Sequence, residues 1–203
     1  MLWFVKEKNS GYNAIAMVTS QIALKEWAIV VDALARGDQL LLIRKGGIRD
    51  PKGAFQLDHR EFFLYPTWEH QQEEALRPEF RDRFKELAAE VPSRSLPLSV
   101  YVGVAFCGEI RDPKALAGLE RYHIYTPEFF EERMRYKPAT PTLVVVVRAY
   151  RLNKPIAIPI QPEYAGCRSW VPLAQPLEIG ETTPVVDNQP FRRALEEMSS
   201  ALS

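Results

Sequence analysis

The chain has 203 residues, 46% of them hydrophobic, and its 26 Lys+Arg balance 26 Asp+Glu for a formal net charge of zero. That length suits one domain or two small ones and can bury a sizeable core. The charge balance argues against a general polyelectrolyte binder but leaves room for a local basic patch. No apolar run approaches the roughly 20 residues that a membrane-spanning helix requires. At the N-terminus the apolar residues precede the basic ones, and the run is too short for a signal peptide. Cys107 and Cys167 lie far apart, without metal-ligand spacing, and read as reduced structural thiols. The composition therefore points to a soluble, cytoplasmic, globular chain with no membrane partner.

Residues 1–18 pattern poorly and are expected to form a weakly ordered extension, with 19–203 as a single domain. After Ser20, a candidate N-cap, Ile22, Leu24, Trp27, Val30, Val31 and Leu34 recur at helical spacing, and Gly37 supplies a stop. Gln39 to Lys45 reads as a buried strand, and Gly46-Gly47 as a turn. Phe55 to Leu57 and Glu61 to Tyr65 look like short strands, the second ended by Pro66. Trp68 to Leu76 reads as a polar helix. Pro78 opens another, through Glu90. Leu96 to Ile110 alternates as a strand should. Asp112-Pro113 and Thr126-Pro127 are cap-plus-proline signals for two further helices, the second running to about Arg135. Thr142 to Leu152 is the strongest strand, with Val144 to Val147 too apolar for either face to be exposed. Ile156 to Ile160, punctuated by prolines, suits an edge. Cys167 to Leu173 reads as a last strand, Leu177 to Asn188 as loop, and Pro190 to Leu202 as a closing amphipathic helix. Helices and strands mix without βαβ regularity. The expected class is α+β: a mixed, largely antiparallel sheet, with barrel-like closure an option, and helices packed on it.

Several clauses resemble one bacterial family, best represented in cyanobacteria and known as domain of unknown function 1802. They are Glu26-Trp27, Leu42-Ile43-Arg44-Lys45-Gly46-Gly47-Ile48, Tyr65-Pro66-Thr67-Trp68-Glu69-His70-Gln71, His123-Ile124-Tyr125-Thr126-Pro127, Arg148-Ala149-Tyr150-Arg151-Leu152 and Tyr164 to Val171. The resemblance covers roughly Ala23 to Leu173. It implies no established activity and assigns no catalytic residues. Its association with restriction-type domains hints at nucleic-acid metabolism or defence.

Three constellations could carry chemistry. Arg44, Lys45, Gly46, Gly47 and Arg49 form a basic turn whose glycines would let backbone approach a phosphate, although the pattern is not a Walker loop. Its plainer reading is a hairpin with solvated charges. His59, His70 and His123 are the chain's three histidines, with Asp58 and Glu69 beside two of them. Converged, they could ligate a divalent transition metal or supply a general base, yet no metal-binding spacing is present; the plainer reading is surface or hydrogen-bonded structural histidines, and neither a metal nor a cofactor is expected. Asp50-Pro51-Lys52 and Asp112-Pro113-Lys114 carry the letters of a nuclease motif, but the central proline suits a turn better than a strand. Finally, Trp68, Tyr65, Tyr125, Tyr150, Tyr164 and Trp170, interleaved with Arg148, Arg151 and Arg168, could stack and clamp an unpaired or flipped base, although aromatics at strand spacing more often build core. The leading expectation is a nucleic-acid recognition module using Arg44, Lys45, Arg49, Trp68, Tyr125, Arg168 and Trp170. The alternatives are a hydrolase or nuclease built on His59, Glu69, His70 and His123, and a non-enzymatic scaffold with a protein partner.

Overall fold

A computed structural model describes residues 18–45, 54–110, 112–140, 142–166 and 168–202. The expected extension thus lies, apart from Val18, outside the described residues, as do Gly46, Gly47, Arg49, the Asp50-Pro51-Lys52 clause and Cys167. The architecture is α+β. The strands are β1 (Thr19–Trp27), β2 (Leu41–Arg44), β3 (Glu61–Thr67), β4 (Ser95–Ile110), β5 (Thr142–Pro159), β6 (Trp170–Glu178) and β7 (Thr182–Pro184). The helices are α1 (Ala28–Arg36), α2 (Pro78–Ala89), α3 (Pro127–Arg135) and α4 (Asn188–Ala201). The strands form one mixed sheet in the order β2-β5-β4-β3-β1-β6, with β7 on β5. Only β1 and β3 run parallel among the described pairings. The sheet is not closed into a barrel; β2 and β6 are its two ends.

The sheet buries both faces, and period-two alternation decides which residue goes where. On β3, Phe62 and Leu64 join the larger core with α1, α3 and α4, while Phe63 and Tyr65 join a smaller core with Leu96, Leu98, Tyr164 and Val171. The same alternation on β1 sends Leu24 to the large core and Ala23 to the small one. The valine run of β5 is fully buried between β2 and β4, as its composition demands.

Five elements differ from expectation. Residues 19–27 are strand, not helix, because β1 finds partners on both sides, β3 and β6. Ser20 caps nothing; its hydroxyl accepts from the Ile22 N–H at a register shift in the β1–β6 pairing. Pro66 lies inside β3, beside Glu26 of β1, rather than ending the strand. The stretch after Trp68 is a turn with His70 at φ 60°, followed by one 3-10 turn at Glu73–Ala75. Residues 55–57 lie outside any strand, and β7 occupies part of the expected late loop. Helix α3, by contrast, starts where the cap signal says: Thr126 Oγ1 accepts from the Phe129 N–H. Gly37 closes α1 in the left-handed conformation, φ 86°, its N–H bonded to the Ala33 carbonyl. Arg83 of α2 ties that helix to α1 through Asp32 at 2.9 Å.

Candidate functional site

Two adjacent residues of β1 point to opposite faces and organise two groups of side chains. Lys25 faces the small core. Its ammonium donates to the carbonyls of Tyr164 and Gly166 and lies 5.8 Å from the Tyr65 ring. Around it opens a cleft of about 380 Å³, lined among others by Tyr65, Trp68, Glu69, Gln161 and Tyr164, with exposed Val91 and Ile160 at its rim. The Trp68 indole is fixed in that wall by donation of Nε1–H to the Leu87 carbonyl, 2.9 Å. Burial, with Tyr164 and Glu69 nearby, pushes the Tyr65 hydroxyl above its ordinary pKa.

Glu26 faces the large core and is buried. It pairs with Arg44 at 3.0 Å, and the same guanidinium donates to the Lys25 carbonyl and to Ser169 Oγ. Arg44 also lies over the Phe55 ring at 4.9 Å; Phe55 stacks on Trp170, and His59 meets Trp170 edge-on at 4.8 Å. Next to Arg44, Lys45 is almost wholly buried and donates to the Met134 carbonyl in the last turn of α3, 2.8 Å. Burial and then Arg133 hold the Lys45 ammonium below its usual pKa. Burial, then Arg44, does the same to Arg133, while Tyr125 and Glu26 oppose it. Arg133 sits over Phe129 at 5.8 Å, and Phe129 stacks on Tyr125 at 4.2 Å with the rings 9° apart. Trp27 closes this aromatic wall, 6.0 Å from Phe129.

The expected site residues therefore divide. Arg44, Lys45 and Tyr125 share the cationic, aromatic group beneath α3, and Trp170 with His59 adjoins it through Phe55. Trp68 and Glu69 line the cleft on the other face. Arg168 and His70 are exposed. His123 is fully buried, edge-on to Phe130 at 4.8 Å, and burial with Arg77 lowers its pKa to about 4. Its Nδ1 accepts from the Tyr125 N–H, so the neutral ring carries its proton on Nε2, for which no described residue offers an acceptor. Among the described residues no three His, Cys, Asp or Glu side chains are placed to hold a metal ion. Cys107 is half-buried and free of disulfide, with its thiol pushed up mainly by burial. Asp112 precedes a 3-10 helix at Pro113–Tyr122, so that clause opens a helix rather than lying on a strand.

Sequence reasoning missed Lys25, Glu26 and Arg133. Lys25 and Glu26 interrupt an otherwise apolar stretch, and two charges buried on one strand are a usable signal. Arg133 looks like any polar position of a short helix.

Fold and site thus define an α+β protein with an open mixed sheet, carrying an aromatic cleft on one face and a buried cation group on the other. The chain matches the model of domain of unknown function DUF1802 over residues 23–197 and belongs to that family. Among solved structures it is similar to the ASCH protein of Zymomonas mobilis. A serine-to-alanine variant of that protein aligns with 11% identity over 78% of this chain and 92% of the other, TM-score 0.44. The unsubstituted protein aligns with 10% identity over 90% and 95%, TM-score 0.40. Comparison with curated proteins gives no match. No described helix is long and apolar enough to cross a membrane.

Proposed function

We propose that this protein is a nucleic-acid recognition module that seats an unpaired base in the Tyr65–Trp68–Tyr164 cleft. The observation that carries the reading is the make-up of that cleft. Its size lies within the range of small-ligand sites, roughly 300–1,000 Å³. Trp68 is held by its indole N–H and packed against the smaller core, so the part of its ring that lines the cleft can receive a base at little entropic cost. Glu69 and Gln161 stand in the same lining and offer a carboxylate and an amide to a base edge. Stacking on an aromatic face requires an unpaired base, so the ligand is single-stranded.

Anisotropy titration of labelled single-stranded RNA and DNA against the duplex tests this. Single strands bind, duplex does not, and Trp68→Ala weakens binding by about 5- to 150-fold, the range for loss of one stacked base. Equal binding by the variant, with the fold intact by circular dichroism, removes the cleft from the mechanism.

A further inference from the structure

A separate cleft of about 370 Å³ opens between α4, the turn that closes α1 and the last residues of the 3-10 helix Pro113–Tyr122. Its volume suits a small ligand, and it shares no lining residue with the Tyr65–Trp68–Tyr164 cleft. Leu40, Val186 and Ala194 give it an apolar wall; Arg121, Arg193 and Glu197 give it a charged one. Arg193 and Glu197 stand four residues apart on α4, the spacing at which a helix pairs opposite charges. Glu197 turns instead to the 3-10 helix, where its Oε2 accepts from the Arg121 guanidinium and from the Tyr122 hydroxyl. Arg121 is further fixed over the Tyr122 ring, 5.0 Å from its centroid. Arg193 is exposed and makes no ion pair, hydrogen bond or ring contact with another described residue. Two arginines against one engaged glutamate leave the cleft with an excess of one positive charge.

We infer that this cleft binds a small organic acid, one carboxylate on a hydrocarbon body, with Arg193 as its anchor. The planar guanidinium fork accepts a carboxylate through two parallel hydrogen bonds. The hydrocarbon body covers Leu40, Val186 and Ala194 and gains by leaving water. Charge selects against the other common anions. A phosphomonoester carries about −1.5 to −2 at neutral pH, more than the local excess, and Glu197 repels the surplus. A phosphodiester has the fitting charge but brings no hydrocarbon to the apolar wall. This site is independent of the base-binding cleft proposed above.

The test titrates the full chain, followed by amide NMR shifts, with acetate, hexanoate, hexanamide and inorganic phosphate. Hexanoate binds at least about tenfold tighter than its neutral amide, the effect of one charge-assisted contact. It also binds at least about tenfold tighter than acetate, since each buried methylene adds about fourfold. The shifts fall at Leu40, Tyr122 and Ala194. Arg193→Met, which keeps the stem and removes the charge, abolishes the preference for acid over amide at unchanged Tm, and Arg193→Lys keeps part of it. Glu197→Gln acts in the opposite direction and strengthens hexanoate binding, because it removes a like charge and frees Arg121. A merely structural Arg193 would not separate acid from amide. Equal binding of the two, undiminished binding by Arg193→Met, or no binding of hexanoate overturns the inference. Phosphate binding as tightly as hexanoate, or shifts at Trp68 and Tyr164 instead, overturns it too. The Trp68-dependent strand binding of the proposed function is read in its own titration and stands or falls separately.

Discussion

His123 makes the protein's stability fall with acid in a window that can be assigned to one side chain. Unfolded, the imidazole has a pKa near 6.5; folded, burial and Arg77 lower it to about 4. The folded pKa is depressed, so below 6.5 the unfolded chain binds the proton that the native state refuses. Stability is therefore fully present above about pH 6.5 and is lost progressively down to pH 4. Linkage with these two values gives a loss of about 2 kcal/mol between pH 7 and pH 5, rising to about 3 kcal/mol by pH 4. Carboxylates begin to titrate at the lower end, so the upper part of the window is the diagnostic one. His123→Asn removes the titration and offers a side-chain oxygen where Nδ1 accepts the Tyr125 N–H. Urea unfolding of both proteins at pH 7, 6 and 5 should show a slope for wild type that the variant lacks by about 2 kcal/mol. A variant with the same slope as wild type would refute the argument that this ring is held neutral.

Other substitutions probe the rest of the frame. Glu26→Gln leaves the Arg44 guanidinium without its carboxylate in a largely buried site and should cost about 3 kcal/mol in equilibrium unfolding. Phe129→Ala removes the ring stacked on Tyr125 and over which Arg133 lies, and should cost about 3–5 kcal/mol by the same assay. Gly37→Ala should cost about 1–2 kcal/mol, since a left-handed φ strains any Cβ and this one would meet Val186 at 3.2 Å.

Much of the scaffold was legible because its determinants are local. The Val144–Val147 run fits nothing but a strand buried on both faces, and Thr126-Pro127 marks the start of α3 to the residue. β1 was not legible, because its apolar residues and those of α1 share one helical spacing across a junction with no turn residue. The chain passes from Trp27 of the strand directly to Ala28 of the helix, and Trp27 makes no side-chain cap. Only the pairing with β3 and β6, remote in sequence, settles that stretch as strand. The candidate sites divide in the same way. Arg44, Lys45 and Tyr125 stand out by type and context. Arg133 becomes notable only when α3 packs its last turn against Lys45, a tertiary fact that no window of sequence contains.

The peptide joining Lys25 to Glu26 is a joint common to both faces of the sheet. On one side Tyr164 and Gly166 grip the lysine; on the other Arg44 grips the glutamate and, at 3.2 Å, the lysine's own carbonyl. Neither face can move its half of the joint without pulling on the other. Substitutions on the two sides of the joint, Lys25→Met and Arg44→Met for instance, should therefore be non-additive although the two side chains lie on opposite faces, with a double-mutant coupling of about 0.5–3 kcal/mol. Variation tolerated on one face would then depend on which residues the other face already carries.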